Sequence, residues 1–141
     1  MNIAVTGING FVGKHLTQKL VENGHNVIGL SMEDNAHPEI ANDLLEYVSC
    51  NLAEEWPAFN AQPDAIIHLA GLAAVGPSFD KPQMYISINS SIVTNLCEHY
   101  LTQDSKPRIV LISSGAVYSP NQSMPINEGG EVQFGSPYAV S

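Results

Sequence analysis

Three glycines spaced by three, in Thr6-Gly7-Ile8-Asn9-Gly10-Phe11-Val12-Gly13, stand between an apolar run at residues 3–6 and an amphipathic stretch at 11–22. This order of strand, glycine-rich turn and helix constrains the fold more than any other feature of the chain. The glycines have separate tasks: one makes a tight turn, one lets the backbone come close to a pyrophosphate, and one lets the helix lie close on the strand. A helix beginning at the turn offers its first N–H groups to phosphate. The motif therefore reads as a dinucleotide site, with Gly7, Ile8, Asn9, Gly10, Phe11, Val12 and Gly13 as its phosphate-binding residues.

The rest of the chain alternates short apolar runs with longer amphipathic stretches, the pattern of β-α-β units. Further strands are expected at 27–30, 47–50, 65–69 and 109–113, making five in all, and 65–69 is apolar on both faces as a central parallel strand is. The helix at 11–22 places Phe11, Val12, Leu16, the Lys19 stem and Leu20 on one side, and Asn23-Gly24 stops it. A longer helix at 81–103 carries Met84, Ile88, Ile92 and Leu96 on one face. The Pro38-broken segment 31–45 reads as a loop or short helix, 53–62 as a short helix around Trp56, and 119–137 as an irregular loop. These elements predict an α/β fold, the N-terminal part of a Rossmann-like, doubly wound parallel sheet. The closing residues Pro137-Tyr138-Ala139-Val140-Ser141 begin a helix, so residues 1–141 read as a dinucleotide-binding domain incomplete at its C-terminus.

Composition narrows the partners. Apolar residues at 44% and charged residues at 13% support a buried core. A net charge of −9 argues against nucleic acid and anionic membrane surfaces. Cys50 and Cys97 form no C-x-x-C pair and no His lies at zinc-ligand spacing, so two buried thiols are expected, with no disulfide and no metal site. The N-terminus lacks a basic leader and the longest near-apolar stretch, 65–75, is too short to span a bilayer, so the expected location is cytoplasmic.

At the end of the second strand, where a dinucleotide fold usually places an acid for the ribose hydroxyls, stands Ser31, followed by Met32-Glu33-Asp34. Ser31 suits a ribose or a 2′-phosphate, but no Arg or Lys follows it and the two carboxylates oppose a phosphate. Lys14 is the nearby cation, and it reads equally as a solvated first-turn lysine. The cofactor is NAD or NADP, with the balance toward NAD.

Beyond the glycine turn come Asn51-Leu52, His68-Leu69-Ala70-Gly71, Asn89, Ser113-Ser114-Gly115-Ala116-Val117-Tyr118 and Ser136-Pro137-Tyr138-Ala139-Val140-Ser141, in this order. The whole chain thereby resembles the extended short-chain dehydrogenase/reductases, of the NAD-dependent epimerase/dehydratase type. Within them it is most similar to nucleotide-sugar epimerases of the UDP-glucose 4-epimerase kind and to GDP-4-keto-6-deoxymannose reductases. The resemblance implies Ser114 as the hydroxyl that binds the reacting sugar oxygen and Tyr138 as the acid/base. It implies Asn51 and Leu52 at the adenine, Leu69, Ala70 and Gly71 where the cofactor approaches the central strand, and Asn89 at the family's helix asparagine. It also implies a nucleotide-sugar substrate, and a homodimer is compatible with it. His68 reads more readily as a packed, hydrogen-bonded core residue. Gly115-Ala116 replaces the Asp-Glu of the dehydratases, which disfavours dehydration.

In the family a lysine four residues after the tyrosine lowers its pKa, and Ser141 stands one residue short of that position. The expectation is thus a cofactor-binding fragment of an epimerase or reductase, without its sugar-binding domain and inactive as it stands. Two alternatives stay open: a dinucleotide-binding module without turnover, and an atypical reductase acting on a non-sugar carbonyl.

Overall fold

The run Asn2–Thr6 forms β1, the central strand of a parallel sheet, paired on one side with β2 (Asn26–Ser31) and on the other with β4 (Ala65–His68). β3 (Leu44–Ser49) lies beyond β2, and β5 (Arg108–Leu111) lies beyond β4, giving the order β3-β2-β1-β4-β5. The chain winds outward in one direction from β1 and then in the other, so the carboxyl ends of β1 and β4 flank the switch point where such sheets bind ligands. The computed structural model describes residues 1–141 and divides into two compact units. The first, Met1–Gly71 with Ser91–Ile112, holds the whole sheet, and the second comprises Leu72–Ser90 and Ser113–Ser141.

Strand alternation sorts the sheet residues of the first unit into two faces. Ile3, Val5 and Val27 form a buried cluster with Ile8 and Ile40, against which Leu16, Leu20 and Val21 of helix α1 (Phe11–Glu22) pack. Ala4, Thr6, Ile28, Leu30, Ile66 and His68 lie on the opposite face and are buried as well. Burial on both faces explains why the central strands read as continuous apolar runs.

The predicted bounds of α1 hold and Leu16 and Leu20 of its predicted face pack on the core, but Phe11, Val12 and Lys19 do not. Gly13 and Thr17 are the fully turned-in residues, while Phe11 and Val12 are 77% and 58% exposed and Lys19 lies outside, paired with Glu22. The smallest residue, rather than the largest, sets how closely the helix approaches. A Cβ at Gly13 would stand 2.5 Å from the Ile8 carbonyl oxygen and 2.6 Å from that of Gly7. Neither backbone oxygen can swing away, so overpacking costs about 2–3 kcal/mol and outweighs the roughly 1 kcal/mol of helix propensity that alanine gains. Gly13→Ala is therefore expected to lower the urea midpoint by a net loss of about 1–2 kcal/mol; an unchanged midpoint would show that α1 can back away freely.

Helix α3 (Pro82–Leu101) buries Tyr85, Ile92, Leu96 and Tyr100, whereas Met84 is 38% exposed. A strict four-residue line drifts about 40° around a helix at each step, so the line drawn from Met84 cannot stay on one face. Cys97, one position past Leu96, turns outward, and Cys50 is half-buried, so the expectation of two buried thiols fails.

Helix α2 (Val75–Asp80) was hidden in the sequence by Gly76 and Pro77, yet proline is tolerated in a first turn where its missing N–H has no partner to lose. No helix forms around Trp56, because a residue preceding proline, here Pro57, is driven out of the α region. Instead the Glu46 carboxylate ties that segment to β3, accepting from the Asn60 amide N–H at 3.1 Å and its side chain at 2.9 Å. β3 starts three residues before its predicted start, and β5 forms a sheet edge with Val110, Leu111 and Ile112 43–59% exposed rather than buried. The closing segment does begin a helix, α4 (Pro137–Val140).

Candidate functional site

The glycine turn joins β1 to α1 with Gly7 at φ +65°, a left-handed conformation that a Cβ would strain. A side chain there would also lie 3.0 Å from the Ala70 backbone, so the turn rests directly on the chain leaving β4. Thr6, the last residue of β1, is fully buried and clamps this contact. Its hydroxyl oxygen accepts from the N–H groups of Leu69 and Ala70, both at 3.0 Å. With its two lone pairs taken, the hydroxyl must give its proton to His68 Nδ1, 2.9 Å away. His68 is thus a neutral imidazole with its proton on Nε2, and burial lowers its pKa.

This arrangement gives a pH prediction. Above about pH 6.5 the histidine is neutral whether the chain is folded or unfolded, so stability is fully present. As pH falls through that value toward the lower folded pKa, the unfolded chain gains a proton that the folded one refuses, and stability is lost at up to about 1.4 kcal/mol per pH unit. The urea midpoint should fall between about pH 7 and 5.5. In His68→Asn, whose side-chain oxygen can still accept from Thr6, that part of the fall should vanish; parallel curves would assign it elsewhere.

Gly10 is the N-cap of α1, in extended backbone with φ −70° and ψ 168°, without a capping side chain or an acid in the first turn. A Cβ there would meet only the Gly7 carbonyl oxygen, at 3.1 Å, in contrast to the blocked space at Gly13. The first N–H groups of a twelve-residue helix therefore point past an exposed glycine with no side chain answering them. Ile8 is wholly buried, so its side chain is closed to any ligand and only its backbone borders the turn.

At the end of β2, Ser31 donates a short hydrogen bond to the Glu33 carboxylate. Asn9 of the glycine turn donates to the same Glu33 oxygen at 3.3 Å and accepts from the His37 N–H at 2.8 Å. Lys14, its side chain 20% exposed, is paired with Glu39 at 3.1 Å, so it is not a free solvated cation. Asn51 caps a local turn, accepting from Ala53 N–H at 3.2 Å, with a second lone pair still available on that oxygen. The Leu52 side chain is buried.

The second unit holds the other candidates. Asn89 accepts from Leu72 N–H at 2.8 Å and donates to Leu72 O at 3.2 Å and Ser141 Oγ at 2.8 Å, so its contacts clamp its own unit. Ser114 caps the turn Gly115–Val117, accepting from Ala116 N–H at 3.1 Å with its own proton left to give. Tyr138 is half-buried in α4, which Ser136 caps through Ala139 N–H at 3.1 Å. A cavity of about 490 Å³ is lined by Gly115, Ala116 and Tyr118, directly after Ser114, and by Gly135 and Ser136, just before Tyr138. Val75 and Phe79 of α2 supply its apolar wall.

The motif that Thr6 opens does not disclose its task as a clamp. A lone hydroxyl in an apolar strand is the signal for Thr6, since a buried polar group must find partners. No group of three or more His, Cys, Asp and Glu side chains gathers to hold a metal, and no helix is long and apolar enough to cross a membrane.

Comparison with known proteins supplies the remaining facts. The profile of the NAD dependent epimerase/dehydratase family matches residues 3–141. A UDP-glucose 4-epimerase of Pisum sativum is 32% identical over 96% of the chain and 43% of its own length. A GDP-6-deoxy-D-mannose reductase of Pseudomonas aeruginosa is 36% identical over 97% of the chain and 42% of its own. The crystal structure of the UDP-glucose 4-epimerase of Thermotoga maritima with UDP-glucose superposes with a TM-score of 0.81 at 26% identity, covering 99% of this chain and 47% of that one. The chain thus spans less than half the length of these relatives.

Proposed function

Since the chain belongs to the NAD dependent epimerase/dehydratase family, we propose that it forms the cofactor-binding half of a nucleotide-sugar epimerase or reductase. NAD is favoured over NADP. The observation that carries this reading is Gly10. The backbone there is ordinary extended chain and a Cβ would press on one atom only, the Gly7 carbonyl oxygen at 3.1 Å, yet the residue is bare and exposed at the uncapped start of α1. A pyrophosphate fits that vacancy in chemistry: it brings acceptor oxygens to unanswered N–H groups at the positive end of a helix.

A bound nicotinamide dinucleotide supplies hydride exchange with a sugar carbon. The protein's own part is to handle the oxygen on that carbon. Ser114, with its proton uncommitted, donates a hydrogen bond to that oxygen, and Tyr138 Oη takes its proton on oxidation and returns one on reduction. The small residues Gly115 and Ala116 and the apolar wall of Val75 and Phe79 suit a sugar face, in a cavity whose lining includes the neighbours of Ser114 and Tyr138 in the chain but neither of those two side chains. Asn51 accepts from the adenine amine through its remaining lone pair. Asn89 acts as a positioning residue: through Ser141, whose hydroxyl donates to the Tyr138 carbonyl at 2.9 Å, it anchors the short helix that carries the acid/base.

Titration of the purified 141-residue chain with NAD, NADH and UDP-glucose tests the reading. Saturable binding of the dinucleotide is expected; binding of none of the dinucleotide forms would overturn it.

A further inference from the structure

Helix α1 is bracketed by two copies of one dipeptide. Asn9-Gly10 precedes it, with Gly10 as its N-cap, and Asn23-Gly24 ends it, with Asn23 as its C-cap. No other asparagine of the chain is followed by glycine. Such a pair carries its own chemistry, because a glycine has no Cβ to keep its nitrogen from the side-chain carbonyl carbon, Cγ, of the asparagine before it. The nitrogen gives its proton to a solvent base and attacks Cγ. A new N–Cγ bond forms, the Cγ–Nδ2 bond breaks, and Nδ2 leaves as ammonia with a proton from water. Water then opens the cyclic imide at either of its carbonyl carbons, leaving aspartate or its β-linked isomer, isoaspartate. No oxidant or reductant takes part.

The two nucleophiles start alike. The Gly10 N–H donates to the Gly7 carbonyl at 3.0 Å and the Gly24 N–H to the Val21 carbonyl at 2.9 Å. The side chains they would attack differ. Asn9 is half-buried and held at both ends: its Oδ1 accepts from the His37 N–H at 2.8 Å, and its Nδ2 donates to the Asn35 carbonyl at 3.0 Å and to Glu33 Oε2 and Tyr47 Oη, each at 3.3 Å. Tyr47 of β3 in turn donates to the Glu33 carbonyl at 2.6 Å, which ties these partners together. Swinging Cγ of Asn9 toward the Gly10 nitrogen therefore requires the loop after β2 to come away. Asn23 is exposed, and its side chain is held by one hydrogen bond, from Nδ2 to the Lys19 carbonyl at 2.7 Å. A Cβ built on Gly24 would meet nothing within 4 Å, so the approach there is open.

We propose that Asn23-Gly24 is the site at which the folded chain deamidates, and that the hydrogen bonds on Asn9 keep the identical pair in the glycine turn intact. The two products would do different harm. At Asn23 the new carboxylate stands next to Glu22 at the negative end of α1 and can no longer donate to the Lys19 carbonyl, which weakens the end of the helix far from the turn. At Asn9 it would face the Glu33 carboxylate, lose every contact of Nδ2 and put a negative charge into the turn offered to a pyrophosphate. The difference between the two pairs holds whether or not that turn carries a dinucleotide.

Ageing the purified 141-residue chain in mildly alkaline buffer, with and without urea, and mapping its peptides by mass spectrometry tests this. In the folded chain Asn23 should convert about tenfold or more faster than Asn9, because several hydrogen bonds must break before Asn9 can react. In urea those bonds are gone, and conversion at Asn9 should rise toward that at Asn23. In Asn23→Gln, an exposed change that leaves the fold in place, the more acidic form that ion exchange separates from the aged folded chain should largely disappear. Conversion at Asn9 as fast as at Asn23 in the folded chain overturns the proposal. So does an acidic form undiminished in Asn23→Gln, or a folded chain that leaves Asn23 intact while the urea-treated chain converts.

Discussion

Gly10→Val should leave the 141-residue chain folded and remove its binding of NAD(H). The two halves of this result come from different contacts. Extended backbone accepts valine, the added Cβ presses on one atom, the Gly7 oxygen at 3.1 Å, and that tight contact together with the loss of a glycine N-cap costs about 1–3 kcal/mol of a total stability of about 5–15. The valine methyls, however, would stand where the pyrophosphate must come within hydrogen-bond distance of the α1 N-terminus. Losing two charge-assisted bonds of about 1.5–3 kcal/mol each weakens binding at least about a hundredfold. Circular dichroism and a urea midpoint near the parent's, with no heat of NAD binding, are the expected pair of measurements. A folded Gly10→Val chain that binds as the parent does would place the phosphates elsewhere.

In a chain long enough to turn over, Tyr138→Phe should lower kcat by about 10²–10⁴, the usual contribution of one positioned acid/base. NAD affinity should stay unchanged. The phenol is delivered by a helix of four residues whose start is capped by Ser136 and whose end is tied through Ser141 to Asn89. Removing one oxygen atom leaves those supports in place, so the loss would be chemical rather than structural. A Phe variant turning over at the parental rate would remove Tyr138 from the chemistry and throw the oxygen-handling role onto Ser114 alone.

Several misreadings share one cause. Apolar spacing places Leu16, Leu20, Ile92 and Leu96 on the buried faces of α1 and α3, where they lie, but Gly13 and Thr17 also turn inward while Phe11 and Met84 lie outside. What a helix buries depends on how near its neighbour can come, and at α1 a glycine decides that distance. The absent helix around Trp56 and the present helix α2 show proline working both ways: it bars the residue before it from helix but is harmless in a first turn. The fold is legible where its signal is covalently local. The glycine-rich turn between β1 and α1 and the bounds of α1 depend on neighbours within a few residues, and the structure has both where the sequence puts them.

The sequence by itself determined the parallel α/β architecture, the glycine-rich turn between β1 and α1 and the resemblance that points to Ser114 and Tyr138, because strand burial, glycine spacing and motif order are all written along the chain. Tertiary structure alone decided the hydrogen-bond partners of Thr6, Asn89 and Glu33. Thr6 becomes a clamp only because Leu69 and Ala70 arrive beside it from 63 and 64 residues away. Glu33 becomes an ordered group only because Asn9, 24 residues earlier, and Tyr47, 14 residues later, meet at the end of β2. Hydrogen bonds are short-ranged and directional, so which partners a polar side chain finds is settled when the strands pair, and no spacing in the sequence records it.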